Sequence, residues 1–281
     1  MPCRNEPRAC RSGTGPNDRR RAPRARSQSG SHHLFKRWPE VAERLHSAKQ
    51  LVLFLDFDGT LVALSNRPFE VRLGRPLAAL LRRLASHQQI TVYIISGRDL
   101  ADLGKRATAR GVRLLGMHGW EGRKVPSLRA ERRLLGRARK LLEERLANLP
   151  HVWVQDKGLG LAVHYRGAVP SAVQKARPMV LETVRIFAPQ LRLLHGKKIW
   201  ELLPRMIEGK GPAVRAVLEG FPRSALPVFV GDDTTDESAF AALGCGITIR
   251  VGNPRRTRAR FYLRDPDEVM TFLHRLEGEI A

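Results

Sequence analysis

The chain has few cysteines, few aromatic rings and few acids. Its three cysteines, Cys3, Cys10 and Cys245, do not suffice for a disulfide framework, and none has the spacing of a metal site. That scarcity fits a reducing, cytoplasmic setting. No run of eighteen apolar residues occurs, which excludes a membrane-spanning helix, and no apolar signal segment stands near the N-terminus. Aromatic residues make up 6% of the chain and do not alternate with the arginines, so stacking platforms for single-stranded nucleic acid are not evident. No internal repeat is present.

The shortage of acids leaves a formal charge of +23, from 50 basic against 27 acidic residues. Residues 1–33 hold eight arginines against Glu6 and Asp18, a contribution of +6 that leaves +17 for the rest. This segment is rich in Gly, Pro and Ser and has almost no large apolar side chains, so it reads as a disordered Arg-rich arm. No amphipathic period marks it as a transit peptide. Weak, non-specific contact with nucleic acid is the most it is expected to make. Elsewhere the arginine excess is a solvated basic surface, whose field also draws anionic phosphate esters.

What is present is an alternation of strands and helices. The patterning predicts a helix over 39–49, a strand over 51–55, a helix over 75–85, a strand over 89–95, a helix over 101–109 and a short strand over 112–115. The pattern then changes. A long charged helix over 128–149, a hairpin over 152–165, a helix over 171–187 and a second hairpin over 191–202 make a small α/β unit of their own. A helix over 210–218, strands over 226–230 and 247–251 and a helix over 266–276 complete the first pattern. The fold class is therefore α/β, a doubly wound parallel core interrupted by a smaller α/β domain. The expected division is arm 1–33, core 34–116, inserted unit 117–204 and core again 205–281.

Two apolar strands run directly into carboxylates. Leu51-Val52-Leu53-Phe54-Leu55 is followed by Asp56-Phe57-Asp58-Gly59-Thr60, and Val228-Phe229-Val230 by Gly231-Asp232-Asp233-Thr234-Thr235-Asp236. Ligands of parallel sheets sit at the carboxyl ends of strands. Like charges gathered there need a cation, and an oxygen-only donor set selects a hard one, most simply Mg²⁺.

At these residues the chain resembles the phosphatases of the haloacid dehalogenase (HAD) superfamily. Asp56-Phe57-Asp58-Gly59-Thr60 is similar to their first motif, Ser96-Gly97-Arg98 to the second, Lys210 in Glu208-Gly209-Lys210-Gly211 to the third, and Gly231-Asp232-Asp233 through Asp236 to the fourth, in the family's order. The resemblance implies a Rossmann-like core with a cap domain. It implies Asp56 as nucleophile, forming an aspartyl-phosphate, and Asp58 as the acid and then the base. Ser96 and Lys210 would stabilise the phosphoryl oxygens, with Thr60, Gly97 and Arg98 beside them. Mg²⁺ would be held by Asp56, Asp58 through its main-chain carbonyl, and Asp232, with Asp233 and Asp236 orienting its waters. A helix N-cap is the structural alternative for Ser96. For Lys210 the alternative is a purely structural role, because Gly209 replaces the family's usual Asn.

Within the superfamily the inserted unit resembles the cap of trehalose-6-phosphate phosphatases. Gly116-Met117-His118-Gly119-Trp120-Glu121, Lys157 with His164-Tyr165-Arg166, and Gly196-Lys197 through Glu201 to Pro204 carry that likeness. It implies Glu121, Lys157 and Glu201 as the charged groups on the sugar hydroxyls. His118, His164 and Arg166 are further candidates for substrate contact. His164 and Arg166 fit bracing of the cap sheet equally well, and His118 fits a hinge or anchor. Leu203 stands where the family commonly has a basic residue. The substrate implied is trehalose 6-phosphate, acted on by a monomer without membrane or specific nucleic-acid partners. The alternatives are phosphatases of the sucrose-phosphate or mannosyl-phosphoglycerate type, or a basic polyanion-binding protein with a vestigial core.

Overall fold

The computed structural model describes residues 30–65, 67, 70–123, 128–196, 198–253 and 256–280. The expected arm as far as residue 29, and Lys197 of the second cap hairpin, lie outside them. The chain opens with β1 (His32–His33) and α1 (Trp38–His46), then enters the middle of a sheet as β2 (Leu51–Leu55). α2 (Arg75–Ser86), β3 (Ile90–Ile95), α3 (Leu100–Arg106) and β4 (Arg113–Leu115) follow. The inserted elements are α4 (Arg129–Leu146), β5 (Trp153–Asp156), β6 (Leu161–His164), α5 (Pro170–Ile186), β7 (Leu191–Gly196) and β8 (Ile199–Pro204). α6 (Gly211–Leu218), β9 (Leu226–Gly231), α7 (Glu237–Ala242), β10 (Ile247–Val251), β11 (Phe261–Leu263) and α8 (Pro266–Ile280) return to the first sheet.

That sheet has the order β1-β11-β10-β9-β2-β3-β4, and its strands pair in parallel throughout. It is the doubly wound α/β core that the patterning predicts. The apolar run of β2 is continuous because both faces of the sheet are covered. Leu51, Leu53 and Leu55 point into the cluster formed with α1, α2 and α8, while Val52 and Phe54 point into the one formed with α6 and α7. Phe54 stacks on Tyr93 and Phe229, its register partners on the two neighbouring strands, at centroid distances of 5.3 and 6.3 Å. Proline in the first turn starts α2, whose Leu77, Leu80, Leu81 and Leu84 recur at helical spacing and bury against the sheet. The winding reverses between β2 and β9, and the crevice for a ligand opens there.

The inserted elements form an antiparallel sheet in the order β5-β6-β8-β7. One face of it, with Leu161, Val163, Trp200 and Leu202, packs on α4 and α5 around Leu135, Leu142, Ala176 and Val180. By the two-residue period of strands, Trp153, Gln155, Ala162, His164, Ile199 and Glu201 then share the opposite face. Amphipathic α4 turns its arginines to solvent, which absorbs part of the basic excess.

Three elements were not anticipated. β1 lies inside the stretch expected to be disordered, and pairs with β11 at Phe261 and Tyr262. β11 itself is three residues long and follows a basic loop, so only its neighbours identify it as a strand. The third is the single short helix α7. His33 meets Glu268 at 3.1 Å, and Leu34 beside it is fully buried. Chains shortened to begin at Gly30 and at Leu34 should therefore differ. Only the second loses the strand and the ion pair, and its unfolding free energy in urea is expected to be lower by about 1–3 kcal/mol. Equal midpoints would show that β1 contributes nothing.

Candidate active site

β2, β3 and β9 end side by side, and each delivers a functional group at its carboxyl end. Asp56, just beyond β2, is 4% exposed, and its amide donates to Val230 O at 2.9 Å. The chain then turns back, and Gly59 adopts φ +85°. A Cβ there would lie 2.2 Å from the Asp232 carboxylate, so only glycine fits the turn that brings the two aspartates together. Thr60 Oγ1 donates to Asp56 at 3.3 Å and lies 3.4 Å from Asp232. Lys210, at the start of α6 and 2% exposed, donates to Asp56 and forms an ion pair with fully buried Asp236 at 2.7 Å. Gly209 has φ +86° and backs onto Thr235 O, where a Cβ would stand at 2.7 Å. The positive φ alone would admit asparagine, but the close approach of Thr235 O and Ser238 Oγ leaves no room for any Cβ, so this chain needs glycine before Lys210.

Burial in this cluster favours uncharged carboxyls. It pushes Asp56 up to about 7 against the pull of Lys210, with Asp232 adding to the rise. Asp232 rises to about 6 and Asp236 to about 7 for the same reason. Burial opposes the Lys210 charge too, yet the Asp236 and Asp56 carboxylates outweigh it and raise the ammonium above its usual range. Asp56, Asp232 and Asp236 offer oxygens within 4.8 Å of one another. Three clustered carboxylates, Asp56 and Asp236 buried and Asp232 partly so, against one ammonium fit a hard divalent cation.

Ser96, 1% exposed, ends β3, and its hydroxyl accepts from the Arg98 amide at 3.2 Å. It is not the cap of α3. That role belongs to Asp99, which accepts from Asp102 N at 2.7 Å. Arg98 donates two bonds of 2.7 Å to Asp58 and a third, also 2.7 Å, to Asp102, which in turn holds Arg106. The Asp58 carboxylate is thus turned to Arg98 and away from the metal-type cluster, leaving only its main-chain carbonyl for an ion. Asp102, missed in the sequence, could have been found by its spacing of four from both arginines.

His118 sits in a 3₁₀ turn with φ +57° and packs on Gly97, where a Cβ would be 2.9 Å from the ring. Its amide donates to Ser96 O at 2.8 Å, so the turn closes over the Ser96 loop. Burial, helped by Lys210, lowers the imidazole to about 4, and its buried Nδ1 has no hydrogen-bond partner among the described residues. Above the whole group lies the cap sheet. Asp58, Ser96, Gly97, Arg98, His118, Lys157, His164, Arg166, Glu201, Lys210, Asp232 and Asp233 line one cleft of about 1000 Å³ with Asp56. Lys157 Nζ donates to Glu201 Oε1 at 2.5 Å, and the ammonium holds that carboxyl below its usual range although burial alone would raise it.

Glu121 is the exception among the expected residues. Its Oε2 accepts from Leu100 N at 2.7 Å at the start of α3, and it lines a separate hollow with Trp120 and Arg132. In this structure it ties the core helix to the segment entering the cap. Leu203 is likewise absorbed elsewhere, packed with Met117, Trp120, Leu159 and Ile207. Trp153 and Gln155 are among the cleft residues that went unnoticed in the sequence. Val154 between them faces the cap core and so sends both to the cleft side, but a four-residue strand is too short to show this from its sequence.

Residues 54–265 match the family described as trehalose-phosphatase. A trehalose-phosphate phosphatase of Mycobacterium ulcerans is 32% identical over 277 residues, covering 91% of this chain and 70% of the relative. The Aspergillus fumigatus trehalose-6-phosphate phosphatase structure aligns at 25% identity with a TM-score of 0.61, over 89% of this chain and 99% of that one. The C-terminal domain of the Candida albicans trehalose-6-phosphate phosphatase shares the fold at a TM-score of 0.73 and 23% identity, over 89% of this chain and all of that one. With its four motifs gathered at the sheet crevice under a four-stranded cap, the chain belongs to the trehalose-phosphatase family of the HAD superfamily.

Proposed function

We propose that this chain hydrolyses trehalose 6-phosphate to trehalose and phosphate, with Mg²⁺, in the cytoplasm. The observation that carries the reading is the buried Asp56–Lys210 pair at the floor of a cleft whose roof is a polar cap face, in a chain of this family. The cytoplasmic setting rests on the scarcity of cysteine and on the finding that no helix among the described residues is long and apolar enough to cross a membrane.

Asp56 attacks phosphorus, and the bond to the sugar oxygen breaks as the aspartyl-phosphate forms. Asp58 gives its proton to the departing oxygen, then takes one from the water that attacks the phosphoenzyme, releasing phosphate and restoring Asp56. A carboxylate that accepts two guanidinium bonds has no proton to give. In the reactive state Arg98 therefore passes its bonds from Asp58 to the phosphoryl oxygens, for which its planar fork is suited, and the freed Asp58 takes up a proton from water before it serves as the acid. Lys210 and the Ser96 hydroxyl stabilise the remaining charge. Asp56 and Asp232 would hold Mg²⁺ with Asp236 in reach, and the bound ion would neutralise charge on the phosphoryl oxygens. His118 stays neutral and positions the Ser96 loop. Glu201 and Lys157 exchange part of their mutual bonding for sugar hydroxyls.

Phosphate release from trehalose 6-phosphate, set against sucrose phosphate and mannosyl-phosphoglycerate, tests the substrate; a preference for either of the latter would overturn it. Asp56→Asn should remove turnover, and retention of more than about a tenth of wild-type activity would exclude it as nucleophile.

Replacing Glu201 or Lys157 with Ala should lower kcat/KM on trehalose 6-phosphate by about one to two decades, since a bond to a charged group is lost. A small aryl phosphate measured in parallel separates recognition from chemistry, because equal losses on both would place these residues in the fold instead.

The raised carboxyls set the sign of a pH effect. Asp56 and Asp236, near 7, and Asp232, near 6, keep protons in the metal-free fold that an unfolded chain has lost by pH 5. Their contribution to stability is present below about pH 4 and disappears as pH rises through 7. A cation must displace those protons, so Mg²⁺ should bind more tightly, and raise Tm further, at pH 8 than at pH 6. Calorimetry in two buffers of different ionisation heat reads the proton release; identical heats at pH 6 would refute it.

A further inference from the structure

Trp153 is 48% exposed, and among the described residues it and Leu64 are the large apolar side chains that are both exposed and on the cleft wall. Exposed indole is unfavourable in water unless something covers it. Its placement is built. Trp153 pairs in register with His164 across β5 and β6, and the two rings stack at 4.0 Å with 10° between their planes. Gln155 Oε1 lies 2.8 Å from His164 Nε2 and fixes the imidazole plane. One indole face is thus covered by a flat, oriented ring, and the exposed area belongs to the other face.

The cap face is ordered from the phosphate site outward. Ala162 and Glu201 stand opposite each other in one row, next to Gln155, and His164 and Ile199 in the next row, next to Trp153. The row of Glu201 is the inner one: Glu201 is in electrostatic reach of His118, which packs on the Ser96 loop, and of Asp233 beside Asp232, whereas His164 is in reach of Lys157, Glu201 and Arg166. Trp153 lies two residues, about 7 Å, beyond Gln155 along its strand. A sugar ring bearing the phosphate reaches the Glu201–Lys157 pair, and a second ring reaches the row of Trp153.

We propose that the outer face of Trp153 is the stacking platform for the sugar ring remote from the phosphate, and so sets the preference for a disaccharide over a monosaccharide phosphate. This rests on the substrate reading above. The apolar C–H face of a pyranose ring covers the indole while its hydroxyls reach Arg166 and Lys198 on the same wall.

The test joins kinetics to a signal that needs no turnover. In Trp153→Ala the ratio of kcat/KM on trehalose 6-phosphate to kcat/KM on an aryl phosphate should fall about tenfold, chiefly through KM, and Trp153→Phe should recover much of it because a ring remains. An unchanged ratio, or a loss of the same size on both substrates, would overturn the platform. Trehalose added to the Mg²⁺-loaded wild type should alter tryptophan emission at lower concentration than glucose does, and Trp153→Phe should abolish the response, since Trp120 and Trp200 are buried and Trp38 packs on Phe272 of α8, outside the cleft. Persistence of the response in Trp153→Phe would also overturn the proposal. A wild type that releases no phosphate from trehalose 6-phosphate yet shows the trehalose response would sink the substrate reading while supporting the platform.

Discussion

Everything at the reaction centre depends on one buried ammonium. Lys210 stands between Asp56 and Asp236 with almost no solvent, and without it three carboxyls would share a pocket with no positive charge. Truncating one partner of a buried pair strands the others, at several kcal/mol. Lys210 is therefore a condition of folding and, on the proposed function, part of the chemistry as well, and deleting it cannot separate the two. The residue before it, Gly209, has positive φ and is pressed against Thr235 of the loop that carries Asp236. Backbone and charge thus fix the same contact from both sides.

The cap reaches its function by a simpler rule. Alternation along β5, β6 and β8 sends Val154, Val163, Leu161, Trp200 and Leu202 into the cap core, and the residues between them must face the cleft. A one-residue slip in register would exchange the two sets. Packing of the cap core is what holds Glu201 in the cleft it shares with Asp56, although no apolar residue of that core lines the cleft.

The carboxylate cluster was legible because strand, turn and charge coincide in short segments. A run such as Leu51 to Leu55 can only be a strand buried on both faces, and the aspartates that follow it have no packing reason to be there. Long-range features were not legible. β1 and β11 are too short to show a period, and each is a strand only because the other, or β10, is beside it. Glu121 reads like Glu201, a carboxylate near the cap, but a single amide at the start of α3 captures it. Trp153 and Gln155 were hidden for the opposite reason: a four-residue edge strand holds too few alternations to say which face looks inward.

The Arg98–Asp58 pair gives the arrangement its sequence of events. Arg98 is also held by Asp102, which is braced by Arg106, so the guanidinium does not depend on Asp58 for its position. It can give up one carboxylate and keep the other. A phosphate dianion entering beside Ser96 competes with Asp58 for the same fork and, carrying more charge, offers it a stronger acceptor. On the proposed function the Asp58 carboxyl is then freed where the leaving oxygen arrives, and substrate arrival itself completes the catalytic set.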